Sequence, residues 1–266
     1  VETSPEHAAP ADSARPVTII NPVPPVAKPI SVAVLGAVKA GKSSLVNALL
    51  GKQTATMDRL PSSGGTRYAA TLPGGRSVSI LDSSGYGERI SDTDFDAAVE
   101  ASREADMILL VTPANNPGRA ADVDLLDRLK QWFADKPHLR MPPVVVVVNQ
   151  VDLLSPKAEW TPPYNWNTGT RPKEVNIREC LGAVREQIGS RAVDYVPVCA
   201  RDGETFNVFE GLVPAVVAHL DEARGSAILK AFEAGASERA AGRVADQVGN
   251  LVHVGLGALA GWLKKK

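Results

Sequence analysis

Cysteine is nearly absent: the 266 residues contain two, Cys180 and Cys199. That is too few for a disulfide framework, and their spacing fits no metal site, so a reducing compartment is expected. Net charge is also close to zero, at a formal −1. The chain therefore has no long-range field for a polyanion, and binding nucleic acid would require a local patch. Long apolar runs are missing too. The stretch from Val254 to Leu263 holds ten residues, about half of what a membrane-crossing helix needs. No basic n-region followed by an apolar h-region marks a secretory signal. The expected location is the cytoplasm, at most peripheral at a membrane. Position 1 is Val rather than Met, which leaves room for an upstream segment.

What is present is unevenly distributed. Residues 1–29 hold Pro5, Pro10, Pro16, Pro22, Pro24, Pro25 and Pro29 among Ala, Ser, Thr and Val, the composition of an extended, disordered leader that cannot pack. Residues 225–266 carry six Lys or Arg against three Asp or Glu, a net of +3 that leaves −4 for residues 1–224. Between these ends, a chain that is 44% hydrophobic overall has enough apolar surface for one large core.

From Ile30 the pattern alternates strand and helix. Ile30–Gly36 is a compact apolar run ending at glycine, and Lys42–Leu50 follows with helical spacing. Further buried strands are expected at Ser77–Leu81, Asp106–Val111, Val144–Val148 and Asp194–Cys199. Helices are expected around Asp122–Ala134, Ile177–Ile188 and Phe206–Leu220. Uniformly apolar strands separated by helices predict a mostly parallel sheet covered on both faces. Arg67–Leu72 and Arg76–Leu81, joined by Pro73-Gly74-Gly75, read as an antiparallel hairpin at one edge.

Candidate chemistry begins after the first strand. Gly36-Ala37-Val38-Lys39-Ala40-Gly41-Lys42-Ser43, with Ser44 beside it, fits the spacing G-x-x-x-x-G-K-[ST]. Glycines at both ends let backbone N–H groups wrap a phosphate, and the following helix points its positive dipole end at the same anion. Lys42 would neutralise the terminal phosphates and Ser43 would ligate Mg²⁺. Asp82-Ser83-Ser84-Gly85 follows a predicted strand, where such a loop needs an acid for the Mg²⁺ shell, Asp82, and a backbone N–H for the γ-phosphate, Gly85.

A phosphate loop alone does not select a base. Asn149-Gln150-Val151-Asp152 stands at the end of the most apolar strand, and here the sequence resembles the TRAFAC class of GTPases, more narrowly its Era-like and dynamin-like branches, whose motif is N/T-K-x-D. The resemblance covers residues 30–224. It implies the P-loop NTPase fold: a three-layer α/β/α sandwich with a mostly parallel central sheet and one antiparallel edge strand, here with a helical C-terminal extension. It also implies GTP and GDP as ligands, Mg²⁺ as cofactor and hydrolysis of GTP as a switch. Asp152 would accept from the guanine ring N–H and exocyclic amine, and Asn149 would brace the surrounding loops. Gln150 departs from the usual Lys, keeping a stem for the purine without the charge. Cys199-Ala200-Arg201 resembles the S-A-K/R loop, in which the alanine N–H contacts the guanine carbonyl oxygen. Thr66, in Ser62-Ser63-Gly64-Gly65-Thr66-Arg67, resembles the switch threonine that ligates Mg²⁺.

Small GTPases place Gln after D-x-x-G to orient the attacking water; this chain has Tyr86, as hydrophobic residues stand there in the Era-like and dynamin-like groups. Some relatives place Asn in the phosphate loop and bind K⁺, others a basic residue, and that position is Lys39 here. Lys39 is therefore expected to stabilise charge on the β–γ bridging oxygen, and turnover is expected to be slow without K⁺, a dimer across the nucleotide face or a partner. A scaffold with negligible turnover and an Era-like ribosome- or RNA-linked GTPase are the competing expectations. No nucleic-acid-binding appendage is recognisable, so nucleic acid is not the expected partner. Residues 225–266 read as helices. The second places Leu251, Val252, Leu256, Leu259 and Leu263 on one face before Lys264-Lys265-Lys266, which suits an anionic membrane surface, a partner helix or the domain itself. Trp160-Thr161-Pro162-Pro163-Tyr164-Asn165-Trp166 is unusually aromatic for a loop, and either a contact surface or packing near the pocket would explain it.

Overall fold

The computed structural model describes residues 30–50, 58–62, 65–71, 77–201 and 204–220. The Pro-rich leader, the Pro73-Gly74-Gly75 turn and the expected C-terminal helices lie outside them. The strands are β1 (Ile30–Gly36), β2 (Asp58–Ser62), β3 (Gly65–Thr71), β4 (Ser77–Ser83), β5 (Met107–Pro113), β6 (Val144–Asn149), β7 (Asp194–Pro197), β8 (Cys199–Arg201) and β9 (Glu204–Phe206). The helices are α1 (Lys42–Leu50), α2 (Asp92–Arg103), α3 (Ala120–Ala134), α4 (Pro172–Ile188) and α5 (Val213–Ala218). Seven strands form one sheet in the order β2-β3-β4-β1-β5-β6-β7, and β8 and β9 form a separate hairpin.

Strand β1 pairs in parallel with both β4 and β5, and β5, β6 and β7 continue in parallel. Only β3 runs against its neighbours, antiparallel to β4 on one side and to β2 on the other. The hairpin read from the sequence is therefore present, with one further strand outside it. Strand β2 has no apolar alternation to announce it, and it carries Pro61. A residue without an N–H is tolerated on an edge.

The sheet is buried on both faces, and its central strands divide their side chains between them with a period of two. Val32, Val34, Val145 and Val147 pack on one side with Leu45, Val46 and Leu49 of α1 and with Phe209, Leu212 and Val216. Ala33, Leu35, Val144, Val146 and Val148 pack on the other with Leu125 and Leu129 of α3 and Ile177, Leu181 and Val184 of α4. This explains the uniform hydrophobicity of these strands: neither face meets water.

Two expected elements differ. The strand expected over Asp194–Cys199 divides, with β7 ending at Pro197 and Cys199 opening β8. The helix expected from Phe206 begins later, because Phe206 closes β9 and a π-helical turn, Val208–Leu212, precedes α5. Helix α2 has little periodicity to announce it, because its buried positions are Ala98, Val99, Ala101 and Ser102, a weak apolar stripe. Its start was legible in another way. Ser91 Oγ accepts from Asp94 N at 3.1 Å and Asp94 Oδ2 accepts from Ser91 N at 3.1 Å, a reciprocal capping box. Among the described residues no helix is long and apolar enough to cross a membrane.

Leu109, in the central strand β5, is 1% exposed. Leu109→Ala should lower unfolding free energy by roughly 2–5 kcal/mol through lost transfer energy and the cavity left behind. Urea denaturation checks this, with the midpoint shifted and the slope unchanged.

Candidate functional site

The loops that carry the predicted residues all leave the same end of the sheet. The first follows β1, another lies at the end of β4, a third follows β6, and the fourth is β8 itself. Strand β1 lies between β4 and β5, where the chain reverses its direction across the sheet, and open α/β sheets bind ligands at that position.

The loop from Gly36 to Lys42 is compact because three of its residues take positive φ, Gly36 at 146°, Lys39 at 65° and Gly41 at 87°. A Cβ on Gly41 would stand 2.3 Å from Asn149 Nδ2, so only glycine admits the close approach of β6's last side chain. Lys42 is 6% exposed, and its ammonium donates to the carbonyls of Gly36 (3.1 Å) and Ala37 (3.0 Å) of its own loop. Burial lowers its basicity and the carboxylate of Asp82 opposes that. The ammonium is thus held at the mouth of the loop by two neutral acceptors. Ser43 is exposed at the helix start and Ser44 is half-buried beside it.

Asp82 lies at the end of β4, 7% exposed. Burial raises its carboxyl above the usual carboxylate range, while a hydrogen bond from the Ser43 hydroxyl and the charge of Lys42 pull it down. Its Oδ1 is buried with no hydrogen-bond partner. An orphaned carboxylate oxygen costs free energy unless something completes it. Thr66 stands directly across from Asp82 in the β3–β4 register, so both side chains leave the same face of the sheet. Asp82, Ser43 and Thr66 together offer hard oxygen donors, which fits Mg²⁺. Mg²⁺ bound there would neutralise phosphate charge.

Gly85 has φ 88° and packs directly on the phosphate loop. A Cβ there would come within 2.4 Å of Lys42 Nζ and 3.1 Å of Val38 N. The next residue ties the two loops together, since Val38 N donates to Tyr86 O at 2.8 Å. The Tyr86 side chain turns away into the core, where its hydroxyl donates to Asp122 Oδ1 at 2.5 Å, and Thr112 donates to Asp122 Oδ2 at 2.8 Å. Residue 86 therefore presents no side-chain group to the phosphate side. Arg119, also buried, donates to the carbonyls of Pro113 and Gly118 nearby.

The base-reading segment is joined to both neighbouring loops by one side chain. Asn149 is 2% exposed; its Nδ2 donates to Ala40 O at 3.0 Å and its Oδ1 accepts from Ala200 N at 3.1 Å. Asn149 thus links the phosphate loop to the start of β8. The same bond qualifies the expectation for Ala200: its N–H, expected to meet the guanine carbonyl, is engaged by Asn149. Gln150 adopts left-handed backbone, φ 64°, and its amide donates to Lys39 O at 3.0 Å. A neutral amide thus reaches the phosphate loop from the position where the family motif has lysine. Asp152 is 9% exposed, its Oδ2 3.6 Å from Arg201 Nη1. The Cys199 thiol donates to Glu204 O at 3.8 Å and is pushed up to about 12, by burial first and then by the charge of Asp152. It is a buried neutral thiol, not a reactive thiolate. Gly41, Ser44, Asn149, Gln150, Asp152, Leu153, Cys199, Ala200 and Arg201 line a cleft of about 240 Å³ open to solvent. Lys39 alone among the loop's charged residues is exposed.

The aromatic segment is not an open contact surface. Trp160 and Tyr164 pack against Phe206 of β9, with ring centroids 5.4–5.8 Å apart. Beyond the segment, a buried Glu174 pairs with the half-exposed Arg171 and is held down to about 2 by the Arg171 side chain and by backbone N–H groups of Asn165 and Arg171. Sequence reading missed Lys173, a fully buried lysine behind Asp152. Nothing in helical periodicity marks such a residue.

The family described as "50S ribosome-binding GTPase" matches residues 31–150. GTPase Der of Sulfurihydrogenibium sp. (strain YO3AOP1) is 30% identical over 138 residues, covering 48% of this chain and 28% of Der. The tRNA modification GTPase MnmE of Halorhodospira halophila (strain DSM 244 / SL1) is 33% identical over 141 residues, covering 49% of this chain and 27% of MnmE. The chain carries a P-loop GTPase domain of the TRAFAC type. Among solved structures, Era in complex with MgGDPNP and a 16S ribosomal RNA segment is 25% identical, covers 73% of this chain and 58% of that one, and superposes with a TM-score of 0.46. This GTPase domain is what is shared; the chain spans little more than a quarter of the length of Der or MnmE.

Because burial raises the folded-state pKa of Asp82 above its unfolded value, its ionisation costs folding free energy above that pKa, and the cost disappears as pH falls through it. Asp82→Asn should therefore raise the Tm of the nucleotide-free protein at neutral pH, with the gap to wild type narrowing toward acid. The same variant should lose the Mg²⁺-dependent part of nucleotide affinity. Thermal melts across pH, with nucleotide titrations in Mg²⁺ and in EDTA, check both.

Proposed function

We propose that this chain binds GTP with Mg²⁺ and hydrolyses it to GDP and phosphate as a conformational switch, slowly when alone. The observation that carries the reading is the cleft in which the phosphate loop, the Asn149–Asp152 segment and Cys199-Ala200-Arg201 meet, joined by the side chain of Asn149. Gly36, Ala40, Gly41, Lys42, Ser43 and Ser44 hold the phosphates, and Ser43, Thr66 and Asp82 take the Mg²⁺. Asp152 reads the two N–H donors of guanine, which adenine does not offer in that pattern. The guanine carbonyl meets Ala200 N–H by sharing it with Asn149. Gly85 N–H and Thr66 sense the γ-phosphate, relaxing after its release.

Hydrolysis needs a positive charge and an oriented water, and Tyr86 supplies neither. Lys39 is the exposed cation on the phosphate loop, and in this reading it reaches the β–γ bridging oxygen. K⁺ or a second copy across the nucleotide face would serve the same end. Val38 and Leu153, both exposed apolar residues beside the cleft, suit the second copy. Peripheral membrane attachment through residues 225–266 and membership of the dynamin-like branch remain sequence-based proposals. A nucleotide-binding scaffold with negligible turnover is the second reading, favoured by the bond that commits the Tyr86 hydroxyl to Asp122. The ribosome- and tRNA-linked names of the relatives favour an RNA-linked role instead, for which salt-sensitive RNA binding is the test.

Calorimetric titration with Mg²⁺ should show GDP and a non-hydrolysable GTP analogue binding and the ATP analogue failing, with Asp152→Ala abolishing the difference. Equal binding of both analogues by wild type would remove the guanine reading. Lys39→Ala should lower kcat for phosphate release about tenfold or more with little change in GDP affinity, as loss of one transition-state charge does. Unchanged turnover would remove Lys39 from the mechanism and leave the switch reading standing.

A further inference from the structure

Behind the base-reading loop lies a lysine that neither a motif nor the mechanism above uses. Lys173 sits in the first turn of α4 and is 0% exposed. Its ammonium donates to three backbone carbonyls, Asp152 at 2.7 Å, Leu154 at 2.6 Å and Pro156 at 3.2 Å. An ammonium has three protons, so this arrangement uses all of them. The nitrogen also stands 5.5 Å from the centroid of Trp160, whose face attracts a cation.

The location is unfavourable in other respects. Burial lowers the basicity of Lys173, although the charge of Asp152 counters this. The N-terminal turn of a helix is also the wrong end for a cation. A buried charge in such a place is retained only where many polar partners answer it, and here all three strong partners belong to one segment, residues 152–156. That segment is the short 3₁₀ turn Val151–Leu153 and the chain leaving it. The ammonium therefore grips the backbone of the residue whose carboxylate faces the cleft. At position 150, where the resembled motif has lysine, the amide of Gln150 carries no charge and reaches the opposite way, to Lys39 O.

We propose that Lys173 is a positioning residue that sets the orientation of the Asp152 carboxylate, and with it the selectivity of the cleft for a 2-amino-6-oxopurine. This rests on the guanine-binding reading above. Guanine offers Asp152 two parallel donors, the ring N–H and the exocyclic amine, whereas hypoxanthine offers the ring N–H alone. Two-point recognition depends on the angle of the carboxylate far more than one-point recognition does. Releasing the loop therefore erodes the advantage of guanine over hypoxanthine and leaves the phosphate loop untouched.

The test uses the full chain and Lys173→Met, titrated with GDP, inosine diphosphate and ADP in Mg²⁺, with inorganic pyrophosphate as a competitor that reports on the phosphate loop alone. Wild type should prefer GDP to inosine diphosphate. In Lys173→Met that preference should fall by about tenfold, the scale of a lost buried charged hydrogen bond, while pyrophosphate competes as before. Lys173→Arg, which keeps charge and several donors, should restore part of the preference. A preference unchanged in Lys173→Met, or GDP, inosine diphosphate and pyrophosphate all weakened in proportion, would overturn the proposal by showing a purely structural residue. If Lys173→Met does not fold, Lys173→Gln is read by the same ratios. A wild type that fails to prefer GDP to ADP would instead overturn the guanine reading beneath the proposal, and the proposal with it.

Discussion

The site depends on a single buried amide. Asn149 gives its NH₂ group to Ala40 O and receives Ala200 N–H on its oxygen, linking three loops that are 109 and 51 residues apart in sequence. Only a side chain with a donor and an acceptor in one rigid plane can satisfy a carbonyl on one side and an N–H on the other. An aspartate would set an acceptor against the Ala40 carbonyl, and a leucine would leave two buried backbone groups unpaired, each costing about 1–3 kcal/mol. The parallel sheet brings the strand ends together. Asn149 fixes the distance between what holds phosphate and what reads a base.

Several buried charged groups around this amide follow one rule. Lys42 is answered by the carbonyls of Gly36 and Ala37, and Lys173 by those of Asp152, Leu154 and Pro156. Asp122 is answered by Tyr86 and Thr112, and Glu174 by Arg171 and two backbone N–H groups. Asp82 departs from this, with a buried oxygen that no protein group reaches. Since a buried polar atom without a partner is costly, that oxygen beside the phosphate loop fits a ligand to a cation. The proposed Mg²⁺ site thus has support in the structure that the D-x-x-G spacing alone did not give.

What the sequence made legible was local or periodic. Strands such as Val144–Asn149 are apolar throughout because both faces are covered, and the phosphate loop is readable because glycine and lysine must stand at fixed offsets. Asn149 and Asp152 were readable by resemblance, and the structure adds the bonds by which Asn149 works. What stayed hidden depended on contacts distant in sequence or on weak patterns. Strand β2 exists because β3 offers it an edge, helix α2 buries only small side chains and one valine, and Phe206 is drawn into a hairpin with Cys199. The aromatic segment gave a composition without a destination until Phe206 was seen beneath it. Lys173 was invisible because a lysine in a first helical turn ordinarily points to water.

Tyr86 joins these threads. Its carbonyl accepts from Val38 of the phosphate loop, its hydroxyl binds Asp122 of α3, and Gly85 before it lies against the ammonium of Lys42. A tyrosine here cannot orient an attacking water while its hydroxyl is held in the core. It can couple the loop to a helix. In the proposed switch, a γ-phosphate drawing Lys42 and Gly85 toward itself would compete with Lys42's own loop carbonyls and strain the tie between Val38 and Tyr86, and that strain would reach α3 through Asp122. The residue that deprives the site of a water-orienting side chain would then be the one that makes its nucleotide state readable on the other face of the sheet.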